Sequence, residues 1–545
     1  MPMPPATRVR ERRISGEGPT PRDERTMRAA GWLAVGLVAL LAVGAFLTLG
    51  VEALRTGGSL GDPAYVWSIA RFTLWQAGLS TLLSVGLAVP LARAIARRPR
   101  FFGRDLLVAL LALPLVIPAL VASLAVIAVW GRQGLLNDLI AWAGLERVSI
   151  YGLPGILIAH VFFNMPLAAR LMLRHLSAVP AARWRLAAQL GLSPLAAWRL
   201  IEWPAIRPHL GGVATLVFAL CATSFAVVLT LGGGPRSTTL EVAIYQALRF
   251  DFEPGRAVAL ALVQLALTGA LALALRGRAG IEDRGGTIAS PRRHGLDGAR
   301  ARLADALVIG VATLFLLAPL AALVASGLGA DLARLLGEAS VHGAILTSLG
   351  LGALAASLAL LVTTALVLGG HADGTLASAG GTVAALVLVV PPTVLGAGWF
   401  LALRGTGAVF SAAPIMIVTV NAAMALPFTM RIVGPAWRRH AVRTDRLARA
   451  LGMGGLSRLV RLDLPAMRGA LALAFAFALA LSLGDLGVVA LFGSQDWTTL
   501  PLLLLQRMGA YRTDDAAGLA LILAVLCLGT IVLAGLAERR AGSGT

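Results

Sequence analysis

The sequence predicts an all-α, polytopic membrane protein of twelve spanning helices, arranged as two tandem six-helix domains. Three observations carry that prediction. Hydrophobic residues make up 58% of the chain and charged residues only 14%, whereas about a quarter of the residues in a soluble domain are charged. Apolar runs of roughly 20 residues, the length that crosses a ~30 Å hydrocarbon core, recur from end to end. The second half also repeats the first: "LGLSPLAAWRLIEWPAIR" at 190–207 aligns without a gap on "LGMGGLSRLVRLDLPAMR" at 451–468, 261 residues further on.

The elements follow in order. Residues 1–28 form a polar tail containing Arg8, Arg10, Arg12, Arg13, Arg22, Arg25 and Arg28. The apolar run at 29–50 is too long for a signal-peptide core and lacks a clear small-x-small cleavage site, so it reads as a retained first helix. Further spans are expected near 72–96, 105–130, 151–173, 210–231 and 254–276, completing a first domain at 29–276. The segment 277–303 is rich in Gly and charge and reads as a linker. A second domain at 304–537 has expected spans near 304–327, 344–370, 378–403, 410–433, 469–492 and 514–537. A short tail, 538–545, follows.

The charge pattern gives the orientation. The net charge is +20, and with no Lys in the chain all 47 basic residues are Arg. They concentrate in alternate loops: the N-terminal tail, 93–104, 174–209, the linker and 434–468. A membrane-topology signal accounts for this distribution better than a nucleic-acid footprint. It predicts both termini in the cytoplasm of a bacterial inner-membrane protein, in contact with lipid. The 371–377 loop is an exception, expected inside yet without Arg. Cys221 and Cys527 lie in apolar runs and offer no disulfide framework. The seven His residues show no metal-ligand spacing. A P-loop needs a Lys, so no nucleotide site of that kind is expected, and any energy supply comes from another chain or an ion gradient.

The repeat extends beyond the opening loops. Pro166 and Arg170 match Pro427 and Arg431, and "VVLTLGG" at 227–233 matches "VVALFGS" at 488–494, both at the same offset. Six spans per half make the repeat parallel, with a pathway expected at the interface between halves. In each quoted loop a glycine, Gly191 or Gly452, ends a short helical stretch where a left-handed cap suits it. Pro204 or Pro465 is then expected to start the next helix, where its missing N–H costs nothing. The result is a rigid helix–turn–helix presented twice on the cytoplasmic face, fit for a two-fold partner. The alternative is an amphipathic loop resting on headgroups.

The spacing Ala187, Gly191, Ile201, Pro204, repeated as Ala448, Gly452, Leu462, Pro465, resembles the "EAA" loop of ABC-transporter permeases of the binding-protein-dependent importer class. The resemblance covers essentially all twelve spans as a fused pair of permease domains. It implies that these loops couple to grooves on two ATPase subunits. Arg185 and Arg446 stand where the family's motif has glutamate, and Leu186 and Leu447 where it has the first alanine. Within the class, 223–252 and 484–517 look most like thiamine and thiamine-pyrophosphate importer permeases. That resemblance implies a periplasmic thiamine-binding protein and a separate ATPase dimer as partners, with ATP on the ATPase and no cofactor on this chain. Fused ferric-iron importer permeases are the next relatives it suggests.

Intramembrane polar groups are pathway candidates. Asp485, in "LSLGDLGVV", lies sixteen residues from the expected cytoplasmic end of its span, roughly 24 Å up. It would attract a cation or cap a broken helix. His160 and Asn421 occupy matching positions in the fourth spans and would line a pathway or bond neighbouring helices. Ser224, Gln264, Thr347 and Ser348 are weaker candidates. Trp130, Trp399 and Trp497 fall near span ends, where an aromatic belt is expected. The external segments "GGGPRSTTLE" and "GSQDWTTL" would contact a binding protein or serve as turns. The expected function is thus a non-enzymatic permease subunit of an ATP-driven importer of thiamine and its phosphates. An ion-coupled secondary transporter is the remoter alternative.

Overall fold

The computed structural model describes residues 21–55, 62–112, 116–276, 298–451, 453 and 455–542. Gly452 and most of the linker and the N-terminal tail lie outside the described residues. The first half contains α1 (Pro21–Arg55), α2 (Pro63–Arg97), α3 (Arg104–Leu110), α4 (Ala119–Trp130), α5 (Leu135–Trp142), α6 (Leu153–Ser177), α7 (Ala181–Gln189), α8 (Pro194–Ala197), α9 (Trp203–Ala222), α10 (Ala226–Leu231), α11 (Leu240–Arg249) and α12 (Pro254–Arg276). The second half contains α13 (Ala299–Gly329), α14 (Leu332–Gly337), α15 (Ala339–Ala372), α16 (Gly374–Val389), α17 (Pro392–Arg404), α18 (Ala413–Ala450), α19 (Gly455–Arg458), α20 (Leu464–Leu483), α21 (Gly487–Phe492), α22 (Leu500–Gly509) and α23 (Thr513–Gly542). Eleven described helices are long and apolar enough to cross a membrane, or twelve if α16 and α17, which meet at 89°, form one bent span.

The bends have local causes. The third span of each half, expected as continuous over 105–130 and 378–403, is broken: α4 starts after Pro118 and α17 after Pro391. Proline lacks the N–H of the helical ladder and pushes the preceding residue toward extended backbone. The fifth and eleventh spans, expected as 210–231 and 469–492, also break, at 223–225 and 484–486. Beyond these breaks the structure corrects the sequence reading again. The segments read as external, 232–241 and 493–500, lead into the helices α11 and α22. Most of the α11 side chains are buried.

The two halves are built alike. In each, the second span packs on the fourth and fifth (α2 on α6 and α9; α15 on α18 and α20), and α11 on α12 matches α22 on α23. Thr73 Oγ1 accepts a hydrogen bond from Leu240 N at 3.0 Å, and Ser348 Oγ one from Leu500 N at 2.7 Å. One hydroxyl of each second span thereby caps the buried helix that follows the break, satisfying an N–H that helix formation leaves free. Ser348, a weak pathway candidate, has this role instead.

The first helix of each half crosses to the other half. α1 packs on α15 and α17, and α13 packs on α2 and α4. Small residues make the first crossing close: a Cβ on Gly398 would lie 2.4 Å from Ala45 O, and one on Gly44 would lie 2.8 Å from the Trp399 ring. Trp399 Nε1 donates to Leu41 O at 2.9 Å, and the Trp130 ring sits 5.5 Å from that of Phe315 on α13. Both tryptophans therefore serve inter-half packing.

Candidate functional site

The two matched loops lie at the same end of the helix assembly, here the loop end. In the first half α6 stops at Ser177, and Pro180 precedes a separate helix, α7. In the second half the position equivalent to Pro180 is Ala441, and α18 runs through to Ala450 without interruption. Both helices then end in the same turn. Leu192 N donates to Ala187 O at 3.0 Å and Gly191 N to Ala188 O at 3.1 Å, with Gly191 at φ +62°. This bond pair is the Schellman cap, which needs a left-handed residue at that site. Met453 N donates to Ala448 O at 2.9 Å, the matching bond of the second loop. Ala187 and Ala448 are buried beneath the turns, and Ile201 packs with Ala187, Trp184 and Val179. Leu462 is partly buried.

Nothing lies within 4 Å of a Cβ placed on Gly191, so substitution there is opposed by backbone strain alone. Gly191→Val is expected to cost about 1–2 kcal/mol and to appear as faster hydrogen exchange over 187–193. An unchanged exchange rate would show that the turn does not need its left-handed residue.

The prolines act differently from the expectation that each starts a helix. The helix begins at Pro194 and widens into one π-turn at Trp198–Glu202, where Trp203 N bonds back to Trp198 O, before α9 continues through Pro204. The second loop repeats this, with a π-turn at Leu459–Asp463 and Leu464 N bonded to Leu459 O, before Pro465. A π-turn shifts the carbonyl register and lets a helix absorb a proline that has no N–H to donate.

Each π-turn carries a buried acid that sequence reasoning passed over: Glu202 is 2% exposed and Asp463 is 1% exposed. Glu202 meets Arg93 at 2.6 Å and Arg97 at 3.4 Å, both on α2. Arg93 also lies over the Trp198 ring, 4.5 Å from its centroid. Arg97 and Arg98 reach on to Asp305 of α13, at 3.6 and 2.7 Å. The first loop is thus tied both to its own half and to the exchanged helix of the other. Asp463 accepts from His440 of α18 at 2.8 Å and meets Arg458 at 3.3 Å. Arg458 in turn bonds Asp445 at 2.5 Å. The signal was available: both acids sit two residues before the motif proline, 261 apart.

Outward from this anchored base the loops present apolar side chains. Leu190 is 66% exposed and Leu451 64%; they are equivalent positions, as are the exposed Leu186 and Leu447. Arg185 and Arg446 are exposed beside them.

The pathway candidates have partners inside their own halves. His160, buried in α6, bonds Ser80 Oγ of α2 at 2.9 Å through Nδ1. Asn421 Nδ2 donates to Ser482 Oγ at 2.9 Å. Asp485 sits in the break between α20 and α21, and its Oδ1 accepts from Gly487 N at 3.2 Å, the geometry of a helix cap. Gln264 bonds Glu241 of α11 at 3.0 Å. Glu241 also accepts from Thr393 of α17, across the halves.

At the end opposite the loops the halves are joined. Besides the Glu241–Thr393 contact, Arg249 donates to Gly493 O at 2.9 Å and covers the Phe410 ring. Gly484 packs against Pro118. Among the described residues the fourth spans α6 and α18 are not among the closely packed helix pairs.

No family model matches the chain. Over 518 residues, 93% of this chain and 95% of the relative, it is 52% identical to the "Thiamine transport system permease protein ThiP" of Brucella abortus. It is 41% identical over 513 residues to the protein of the same name from Escherichia coli K12, covering 91% and 95%. A 203-residue stretch, 37% of this chain and 75% of that protein, is 28% identical to the "Molybdenum transport system permease protein ModB" of Mycobacterium bovis. Identity of this order over nearly the whole of both chains, carried on a twofold-repeated helical fold, means that the chain belongs to the family of thiamine transport system permease proteins.

Proposed function

We propose that this chain is the membrane-spanning permease of an ATP-driven importer, and that its cargo is thiamine and thiamine phosphates delivered by a periplasmic binding protein. The observation that carries the reading is the paired loop. Two equivalent turns, each anchored by a buried acid and each tipped with exposed leucines, suit a dimeric ATPase with one groove per subunit. Short helices on ion-paired bases transmit a push with little loss, because the loop has few internal rotations to absorb it. ATP is hydrolysed on the partner, and this chain performs no chemistry of its own.

The Arg-rich loops share the end of the molecule that carries the paired loops, which supports a cytoplasmic location for that end and for both termini. The resting state in this reading is open toward the cytoplasm. Closure of the ATPases on ATP draws the loops together and opens the periplasmic end to the binding protein. Hydrolysis resets the halves.

Uptake of labelled thiamine at low external concentration tests this reading, in the native host with and without the chain. Uptake is expected to fall to background on deletion and again on ATP depletion. Undiminished uptake in the deletion strain rejects thiamine as the cargo.

A further inference from the structure

The fourth spans hold a feature that neither the loops nor the buried polar pairs explain. α6 and α18 are the most buried of the membrane-crossing helices. Yet along each runs a stripe that is less than fully buried: Phe163, Leu167, Arg170 and Arg174 on α6, and Met424, Phe428, Arg431 and Pro435 on α18. The spacing of four, three and four residues places each set on one helix face. The two stripes match residue for residue at the 261 offset, and Arg is the charged residue they share. Arg170 is partly exposed and Arg431 exposed. Among the described residues neither guanidinium has a hydrogen bond or ion pair.

An arginine inside a span, on a helix surrounded by other helices and with no acid beside it, faces water or a polar ligand, because bare hydrocarbon does not tolerate it. Arg170 lies seven residues before the end of α6, about 10 Å along the axis. Arg170 and Arg431 occupy equivalent places on these two spans, one in each half, and the parallel repeat puts the pathway between the halves. A guanidinium presents a planar fork of donors that matches phosphate oxygens and holds its charge at any physiological pH. Two of them repel the fixed thiazolium cation of thiamine and attract the mono- or diphosphate that its esters carry.

We propose that Arg170 and Arg431, one from each half, form a paired phosphate site in the translocation pathway that favours phosphorylated cargo over the free cation. The assignment rests on the thiamine reading above. The phosphate has two possible sources, the cargo or a lipid headgroup, and the test separates them.

The experiment uses the full transporter, with its ATPase and binding protein, in proteoliposomes of zwitterionic lipid and in liposomes containing a third anionic lipid. Uptake of labelled thiamine and of thiamine pyrophosphate is measured for the wild type, for R170Q/R431Q and for R170K/R431K. Loss of two charge-assisted contacts is expected to lower the ratio of pyrophosphate to thiamine uptake about tenfold or more in the Gln variant, in both lipids. The Lys variant should recover part of that ratio, since it keeps the charge and loses the fork. An unchanged ratio, with both uptakes falling or neither, overturns the arginine assignment alone. A change that appears only with anionic lipid, and equally for both cargoes, overturns it in favour of headgroup contact. A wild type that carries neither compound overturns the cargo reading and this assignment together.

Discussion

Replacing Leu190 and Leu451 together by Asp is expected to detach the ATPase and reduce uptake to background while leaving the helical assembly intact. The two side chains are 66% and 64% exposed, and neither helps to hold its own turn, which rests on Ala187, Ala448 and the backbone bonds to them or their neighbours. Their loss therefore leaves the fold untouched. In a groove the situation differs. A large apolar anchor at the centre of an interface contributes about 2 kcal/mol or more, and a carboxylate in its place also brings an unpaired charge into an apolar cleft. Two equivalent sites multiply the effect, so the double variant should be far worse than either single one. The measurement is co-purification of the ATPase with the permease, alongside uptake. Retention of the ATPase by the double variant would mean that the leucines rest on lipid, and the docking assignment would fall.

The sequence made some of this legible and hid the rest for identifiable reasons. Gly191 announced its left-handed turn because few other residues adopt φ +62° at low cost, and the offset of 261 exposed the repeat because both loops keep their spacing. The spans were visible as hydropathy. Their bends were harder to read, because Pro118 and Pro391 stand inside apolar runs that hydropathy averages over. The helices α11 and α22 were missed because their polar flanks, "RSTTLE" and "DWTTL", look like surface. Those threonines lead into helices whose first N–H groups are capped by Thr73 and Ser348, and such long-range pairing has no local signature. The exchange of α1 and α13 between halves is likewise a matter of tertiary packing. Glu202 and Asp463 were legible in principle, since both stand two residues before the motif proline. Attention to the glycine and proline frame passed over them.

Those two acids support the second large expectation, and their partners make the outcome unequal. Glu202→Ala leaves Arg93 and Arg97 of α2 without the carboxylate that holds the first π-turn, and removing one member of a buried ion pair costs about 3 kcal/mol. The first loop should then open locally about a hundredfold more often, read as faster amide hydrogen exchange across 190–204. Because Arg97 and Arg98 also reach Asp305 on the exchanged helix, the same change weakens the connection from the loop to both halves. Uptake should therefore fall at least tenfold while the ATPase stays bound and hydrolyses ATP, since Leu186 and Leu190 remain in place. Glu202→Gln keeps an acceptor for the arginines and should lie between. Asp463→Ala removes a contact with His440 of α18 and with Arg458 at the start of its own loop, and Arg458 retains Asp445. The second loop keeps a covalent lever through the uninterrupted α18, so its loss of coupling should be several-fold smaller. Equal losses from the two alanine variants would mean that the ion pairs stabilise the loops without transmitting their motion, because transmission depends on the helices to which each acid is tied.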